Sequence, residues 1–93
     1  MREKEVEQAL VRSVRKAGGL CMKFICPGMD GVPDRLVLLP FGKCAFVELK
    51  APGKKPRPLQ IRRMKQITAL GFPCYVIDAK EQIGGVLDAI SSP

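Results

Sequence analysis

Two short apolar runs joined by a tight turn constrain the fold of this 93-residue chain most strongly. The runs cover residues 35–39 and 44–50, and the four residues between them include Pro40 and Gly42. Apolar runs of this length, bounded by turn-forming residues, are typical of β-strands, and so short a connection joins antiparallel neighbours. We therefore predict a β-hairpin, around which the rest of the chain must be arranged.

Hydrophobic periodicity and turn residues predict five further elements. Val6, Leu10 and Val14 recur at helical spacing within residues 3–17, and two glycines then end this first helix. We also predict a strand at residues 20–26, a helix from Pro58 to Gly71, a strand at residues 72–78 and a weaker helix at residues 81–90. The order is helix, three strands, helix, strand, helix, which indicates the α/β class with a mixed sheet flanked by helices.

The length of the chain allows one domain, residues 1–93, with a modest core that dimerisation would help to stabilise. A composition of 46% hydrophobic and 27% charged residues favours a folded protein over a disordered one. The charged N-terminus is followed by no apolar run long enough for a signal peptide or a membrane span. We therefore expect a soluble, unexported protein that does not bind membranes.

Four cysteines and no histidine exclude zinc sites of the mixed Cys/His kind, although an all-cysteine site stays formally open. Each of the cysteines, at positions 21, 26, 44 and 74, has apolar neighbours and lies in a predicted strand. We interpret them as buried reduced thiols, which indicates a reducing compartment such as cytoplasm.

The net charge of +7 indicates an anionic partner, and nucleic acid is the leading candidate. Residues 50–65 contain no acidic side chain but seven basic ones, namely Lys50, Lys54, Lys55, Arg57, Arg62, Arg63 and Lys65. Basic side chains on a loop and at a helix start are suited to phosphate contacts, which position a duplex without reading its sequence. A merely solvated charged face is the alternative.

Two acidic residues and a lysine form the candidate chemical centre. Glu48 and Lys50 are two positions apart in a predicted strand and so share a face. Asp34 precedes the neighbouring strand. It shares that face only if the two residue numbers in each cross-strand pair have an even sum. A three- or five-residue connection with Gly42 in the left-handed conformation meets this condition, as does a bulge near Asp34, whereas a plain four-residue loop does not. We predict one of the arrangements that meets it.

Carboxylates that converge at a strand end suit a hard cation such as Mg²⁺ or Mn²⁺. We take the side chains of Asp34 and Glu48 and the Leu49 carbonyl as its candidate ligands, and Lys50 as the residue that assists an attacking water at a phosphodiester. The alternative is that Glu48 and Lys50 are the polar face of a half-exposed strand and that Asp34 is a turn residue.

The spacing of Pro33-Asp34, thirteen residues, then Glu48-Leu49-Lys50 resembles the PD-(D/E)XK nuclease superfamily and its restriction-endonuclease-like core. Further residues are similar to the VRR-NUC branch, namely Gly18, Gly19, Lys23, residues 31–34, residues 46–50, residues 52–56, Leu59 and Gln60. The Val-Arg-Arg of the branch name is Ile61-Arg62-Arg63 here, so both arginines are present. The resemblance covers nearly the whole chain.

The resemblance implies supporting roles for residues outside the central three. Glu7 lies on the inward edge of the first helix, and the family's acid on that helix reaches the metal directly or through water; an ion pair at the edge of the helix face is the alternative. Gln60 occupies the family's glutamine position, where its amide could orient the attacking water or Lys50; an ordinary helix-start residue is the alternative. We add Lys23, Lys54, Lys55, Arg57, Arg62 and Arg63 as DNA contacts.

We therefore expect a Mg²⁺- or Mn²⁺-dependent endonuclease that needs no small-molecule cofactor and acts on DNA in a bacterial or phage-infected cytoplasm. Stand-alone members of the branch resemble proteins that dimerise and cleave branched DNA, which implies resolution of four-way junctions by a homodimer. Flap- or nick-directed cleavage and a DNA-binding module without catalysis are the alternatives.

Overall fold

A four-stranded mixed sheet organises the protein in a computed structural model that describes residues 2–93. Its elements are α1 (Glu3–Lys16), β1 (Leu20–Lys23), β2 (Arg35–Leu39), β3 (Lys43–Leu49), α2 (Pro58–Ala69), β4 (Cys74–Ile77), a 3-10 turn (Lys80–Gln82) and α3 (Ile83–Ser91). The strand order is β1-β2-β3-β4, with antiparallel pairs between the first three strands and a parallel β3–β4 pair. The predicted order of elements and the α/β class are confirmed.

The hairpin between β2 and β3 has the predicted parity. Leu39 pairs with Lys43, so the loop consists of three residues, and Phe41 and Gly42 both have positive φ, 68° and 73°. The register continues to Arg35 opposite Val47, which places Asp34 opposite Glu48 one step further on. Residues directly opposite in an antiparallel pair project to the same face, so the backbone aligns the two carboxylates.

One face of the sheet carries the hydrophobic core. Side chains of α1 and α3 pack there against alternate residues of β2, β3 and β4. The buried members of this core are Val6, Leu10, Val14, Val37, Leu39, Ala45, Val47, Leu49, Ile77, Ile83 and Ile90. The helical periodicity of α1 and the two-residue periodicity of the strands therefore meet on one side of the sheet.

The second face of the sheet is only partly covered, because Gln60 is the only buried residue of α2. Leu20 on β1 is 62% exposed, and Met22 and Val76 on the same face are each 39% exposed. This face therefore has the candidate site at one end and solvent-accessible apolar side chains elsewhere.

Both edge strands are shorter than the sequence predicts. β1 ends at Lys23 because its partner β2 begins at the paired residue Arg35, so Cys26 lies in a loop rather than in a strand. The cysteines are half-buried rather than buried, and no disulfide joins them. None of the helices in residues 2–93 combines the length and apolar character needed to cross a membrane.

Candidate active site

Backbone contacts from both neighbouring strands hold Asp34 at the end of the sheet. Its Oδ2 accepts a hydrogen bond from the Leu49 amide at 2.9 Å, and its carbonyl accepts one from the Phe24 amide at 2.7 Å. Pro33 immediately before it is fully buried, which restricts the chain further. Asp34 is thus a structurally fixed carboxylate and not a mobile turn residue.

Glu48 is a carboxylate inside the protein, with 1% of its surface exposed. Its Oε2 accepts a hydrogen bond from Gln60 Nε2 at 2.7 Å and lies 3.1 Å from Lys50 Nζ. Its Oε1 is buried and has no hydrogen-bond partner within the described part of the chain. A buried carboxylate oxygen without a partner is costly, so this atom requires a proton, water or cation.

Burial raises the pKa of Glu48 above its usual value. Lys50 opposes this shift by its hydrogen bond, while the negative charge of Asp34 reinforces it. The raised pKa means that the ionised pair of carboxylates is unfavourable by itself, and a bound cation would relieve the repulsion.

The Leu49 carbonyl is directed toward Asp34. In a strand, the N–H and C=O of one residue point to the same side, and the Leu49 N–H already donates to Asp34. The register places Leu49 opposite Pro33, which has no N–H to donate to this carbonyl. The carbonyl therefore lacks its ladder partner beside the two carboxylates.

These oxygen donors fit Mg²⁺ or Mn²⁺, hard cations that prefer carboxylate, carbonyl and water ligands. Within residues 2–93 no group of three or more His, Cys, Asp or Glu side chains is arranged to hold a metal. Magnesium commonly binds through one or two carboxylates and completes its shell with water and substrate phosphate. Asp34, Glu48 and the Leu49 carbonyl match that sparse pattern.

Glu7 forms an ion pair with Arg35, as the alternative interpretation of this residue expected. Its Oε2 lies 2.8 Å from Arg35 Nη2. Glu7 nevertheless lines a cavity of about 250 Å³ together with Asp34 and Lys23, so it is close to the candidate site. Its role toward a metal stays a prediction.

Gln60 bonds Glu48 directly, and its expected role toward the attacking water or Lys50 stays a prediction. Its Oε1 accepts a hydrogen bond from the Arg57 amide at 2.8 Å, while its Nε2 donates to Glu48. The Gln60 oxygen thus caps the start of α2, and its amide nitrogen orients a catalytic candidate. Only tertiary packing brings the two residues together.

Five of the six predicted DNA contacts are exposed, namely Lys23, Lys54, Lys55, Arg57 and Arg62. Arg63 differs, because it is half-buried and its Nε donates to the Asp30 carbonyl at 2.8 Å. Arg63 therefore anchors the loop before β2. The sequence alone does not identify Arg35 as part of this region. Arg35 begins a predicted strand, and nothing in the neighbouring sequence indicates that it pairs with Glu7.

Comparison with known proteins places the chain in a family. No family model matches it. It is 48% identical over 91 residues to "Putative nuclease p44" of Acyrthosiphon pisum secondary endosymbiont phage 1, an alignment that covers 98% of this chain and 97% of that protein. It also superposes on a solved "VRR_NUC domain" with a TM-score of 0.86 and 31% identity, covering 92% of this chain and 94% of that one. On these grounds, the chain belongs to the VRR-NUC nuclease family.

Proposed function

We propose that this nuclease is a divalent-metal-dependent DNA endonuclease whose chemistry is performed by Asp34, Glu48 and Lys50. The observation that carries the proposal is the buried, unpartnered Oε1 of Glu48 in a strand end that Asp34 shares. An oxygen in that position is costly unless the site binds a cation during function. A purely structural carboxylate would have its hydrogen bonds satisfied.

Each residue has a separate task in the proposed reaction. Asp34, Glu48 and the Leu49 carbonyl would hold Mg²⁺ or Mn²⁺, which supplies Lewis acidity and lowers the pKa of a bound water. Lys50, whose Nζ is 3.1 Å from Glu48, orients the attacking water or offsets negative charge on the phosphate. Gln60 keeps the Glu48 carboxylate in place through its 2.7 Å hydrogen bond.

We propose branched DNA as the substrate. Exposed basic side chains follow Lys50 on the loop after β3 and at the start of α2, where they are suited to contact DNA phosphates. Four-way junction resolution by a homodimer is our first hypothesis, in a bacterial or phage-infected cytoplasm, and flap- or nick-directed cleavage is the second. A DNA-binding module without catalysis is disfavoured, because binding alone gives no reason to bury Glu48.

A homodimer of a single nuclease domain spanning residues 1–93 is supported by one observation and by one argument from symmetry. The partly covered sheet face presents Leu20, Met22 and Val76 to solvent, and a second copy would bury them. Two-fold symmetry would also provide two sites for two strands of a junction.

The proposal is tested by cleavage of a synthetic four-way junction in Mn²⁺ by the wild type, Glu48→Ala and Lys50→Ala. We expect both variants to bind the junction and to lose at least about 100-fold in cleavage rate, as is typical when a charge-stabilising group is removed. Cleavage by both variants at the wild-type rate would disprove the assigned chemistry. A linear duplex, a flap and a nicked duplex in the same assay identify the preferred substrate.

A further inference from the structure

Arg35 has no place in the chemistry described so far, although it directly follows Asp34. We infer that Arg35 is a positioning residue, which holds the Glu7 carboxylate beside Asp34 so that Glu7 can bind the water shell of the active-site cation. The inference rests on the proposed function, because it assigns Glu7 and Arg35 to the same metal site.

Contacts on two sides fix the Arg35 guanidinium. Arg35 is 8% exposed, its Nη2 lies 2.8 Å from Glu7 Oε2, and its Nη1 donates to the Cys21 carbonyl at 3.3 Å. Its Nε is buried and has no hydrogen-bond partner in residues 2–93. The Glu7 side chain is half-buried, so the ion pair joins a buried cation to a partly solvated carboxylate. An ion pair of this kind, with one guanidinium hydrogen bond unmade, contributes little to stability, so a functional reason for retaining it is favoured.

The strand geometry explains how one segment serves both faces of the sheet. Neighbouring residues in extended chain project to opposite faces, so Asp34 is directed toward Glu48 while Arg35 is directed toward α1. Glu7 on α1 meets Arg35 there, yet it also lines the cavity that Asp34 lines. Arg35 therefore ties the position of the α1 carboxylate to that of Asp34.

The cavity between Glu7 and Asp34 has room for ordered water. Its volume is about 250 Å³, whereas one water occupies roughly 30 Å³ in the liquid. The ion pair uses Oε2 of Glu7, and the second oxygen of that carboxylate remains for a water molecule. Because Mg²⁺ retains several of its waters when bound, a carboxylate that accepts hydrogen bonds from them strengthens cation binding without direct coordination.

The sign of the effect on cation affinity separates positioning from simple electrostatics. Removing a positive charge near the site would tighten Mn²⁺ binding by Coulomb's law alone. Loss of positioning would weaken it, by about 10- to 100-fold if Glu7 acts as other residues around a metal's direct ligands do. Weaker Mn²⁺ binding by Arg35→Gln is therefore the result that we expect.

A double-mutant cycle with Glu7→Gln tests whether Arg35 acts through Glu7. The readouts are the Mn²⁺ dissociation constant from calorimetry without DNA and the rate of junction cleavage. We expect each single variant to weaken Mn²⁺ binding and slow cleavage by at least about tenfold, and the double variant to be no worse than Glu7→Gln. A merely structural Arg35–Glu7 ion pair would lower stability non-additively but leave the Mn²⁺ dissociation constant unchanged.

Arg12→Gln is the matched control, because exposed Arg12 lines a second cavity, of about 390 Å³, together with Glu7 and Arg35. It should leave Mn²⁺ affinity and cleavage within about twofold of the wild type. If Arg35→Gln does not fold, Arg35→Lys replaces it in the cycle, with a smaller loss in the same direction.

Unchanged or tighter Mn²⁺ binding by the Arg35 variant, or equal effects in both Glu7 backgrounds, would overturn the inference. These outcomes are distinct from failure of the proposed function, which the Glu48→Ala and Lys50→Ala cleavage assays report independently.

Discussion

At the scale of single residues, the candidate site is built at a cost to stability. Glu48 is buried beside Asp34, and one of its oxygens has no hydrogen-bond partner within residues 2–93. Lys50 and Gln60 satisfy only the other oxygen. Such strain is typical of active sites, where charge is arranged for a ligand rather than for the metal-free protein.

We predict that Glu48→Gln stabilises the metal-free protein at neutral pH. Because the folded-state pKa of Glu48 is raised, its favourable contribution is complete below the usual carboxyl pKa and is lost as pH rises through the raised value. A neutral glutamine keeps an acceptor for Gln60 and avoids that loss. We expect a higher melting temperature for the variant; in a domain of this size each kcal/mol of added stability raises it by roughly 4–8 °C.

Thermal unfolding in EDTA at pH 4 and pH 8 measures this effect. The increase in melting temperature over the wild type should be larger at pH 8 than at pH 4. The variant should also lose cleavage activity. A lower melting temperature for Glu48→Gln at pH 8 would mean that the Lys50 ion pair outweighs burial.

At the scale of elements, α2 presents one arginine to solvent and uses the next to hold a loop, a difference that its sequence does not reveal. Arg62 is exposed toward solvent, while its neighbour Arg63 is half-buried and bonds the Asp30 carbonyl. A Cβ added to Gly31, whose φ is +84°, would lie 2.8 Å from Leu59 Cγ, so the loop before Asp34 packs tightly on α2. The helix therefore supports the loop that carries Asp34, the aspartate of the candidate site.

We predict that substitution of the two adjacent arginines changes two different properties, DNA binding for Arg62 and stability for Arg63. Arg62→Gln should weaken DNA binding and reduce the slope of log K against log salt by about 0.9, the value for one phosphate contact. Arg63→Gln should leave the slope unchanged but lower the free energy of unfolding by about 1 kcal/mol, since it removes a hydrogen bond.

Fluorescence anisotropy at several salt concentrations and chemical denaturation give the two quantities. A reduced salt slope for Arg63→Gln with unchanged stability would mean that Arg63 contacts DNA and not the loop.

At the scale of the whole molecule, the two faces of the sheet are unequal. α1 and α3 close one face over a continuous core, whereas α2 covers mainly the site end of the other. The exposed side chains on the remainder of that face include Leu20, Met22 and Val76, and contiguous apolar surface of this kind is typical of interaction sites. A symmetric partner would bury it while keeping the basic surface available to DNA.

We predict that Leu20→Lys shifts the protein from dimer to monomer, because a lysine would be desolvated at the interface. Sedimentation equilibrium should give a dimer dissociation constant at least about tenfold higher for the variant than for the wild type. Phe41→Lys is the control, since Phe41 is 98% exposed in the β2–β3 loop and does not belong to a strand of this face. A wild-type protein that is monomeric at micromolar concentration, or an effect of equal size from Phe41→Lys, would contradict the prediction.

Local pattern was sufficient for the order of elements and for the common face of Glu48 and Lys50, whereas the parity of the hairpin was predicted because it aligns Asp34 with Glu48. Helical and strand periodicities are short-range properties, and the turn residues between positions 39 and 43 restrict the loop to few lengths. The edge strands were less predictable, because their ends depend on where a neighbouring strand stops.

Tertiary structure alone decided which side chains meet across the sheet. The sequence by itself determined that Asp34, Glu48 and Lys50 have the spacing of a nuclease site. It did not determine that Gln60 bonds Glu48, that Arg63 anchors a loop, or that Arg35 binds Glu7. These pairs are separated by 12 to 33 positions in the chain, so the packing of helices on the sheet, and not local periodicity, brings their polar atoms within bonding distance.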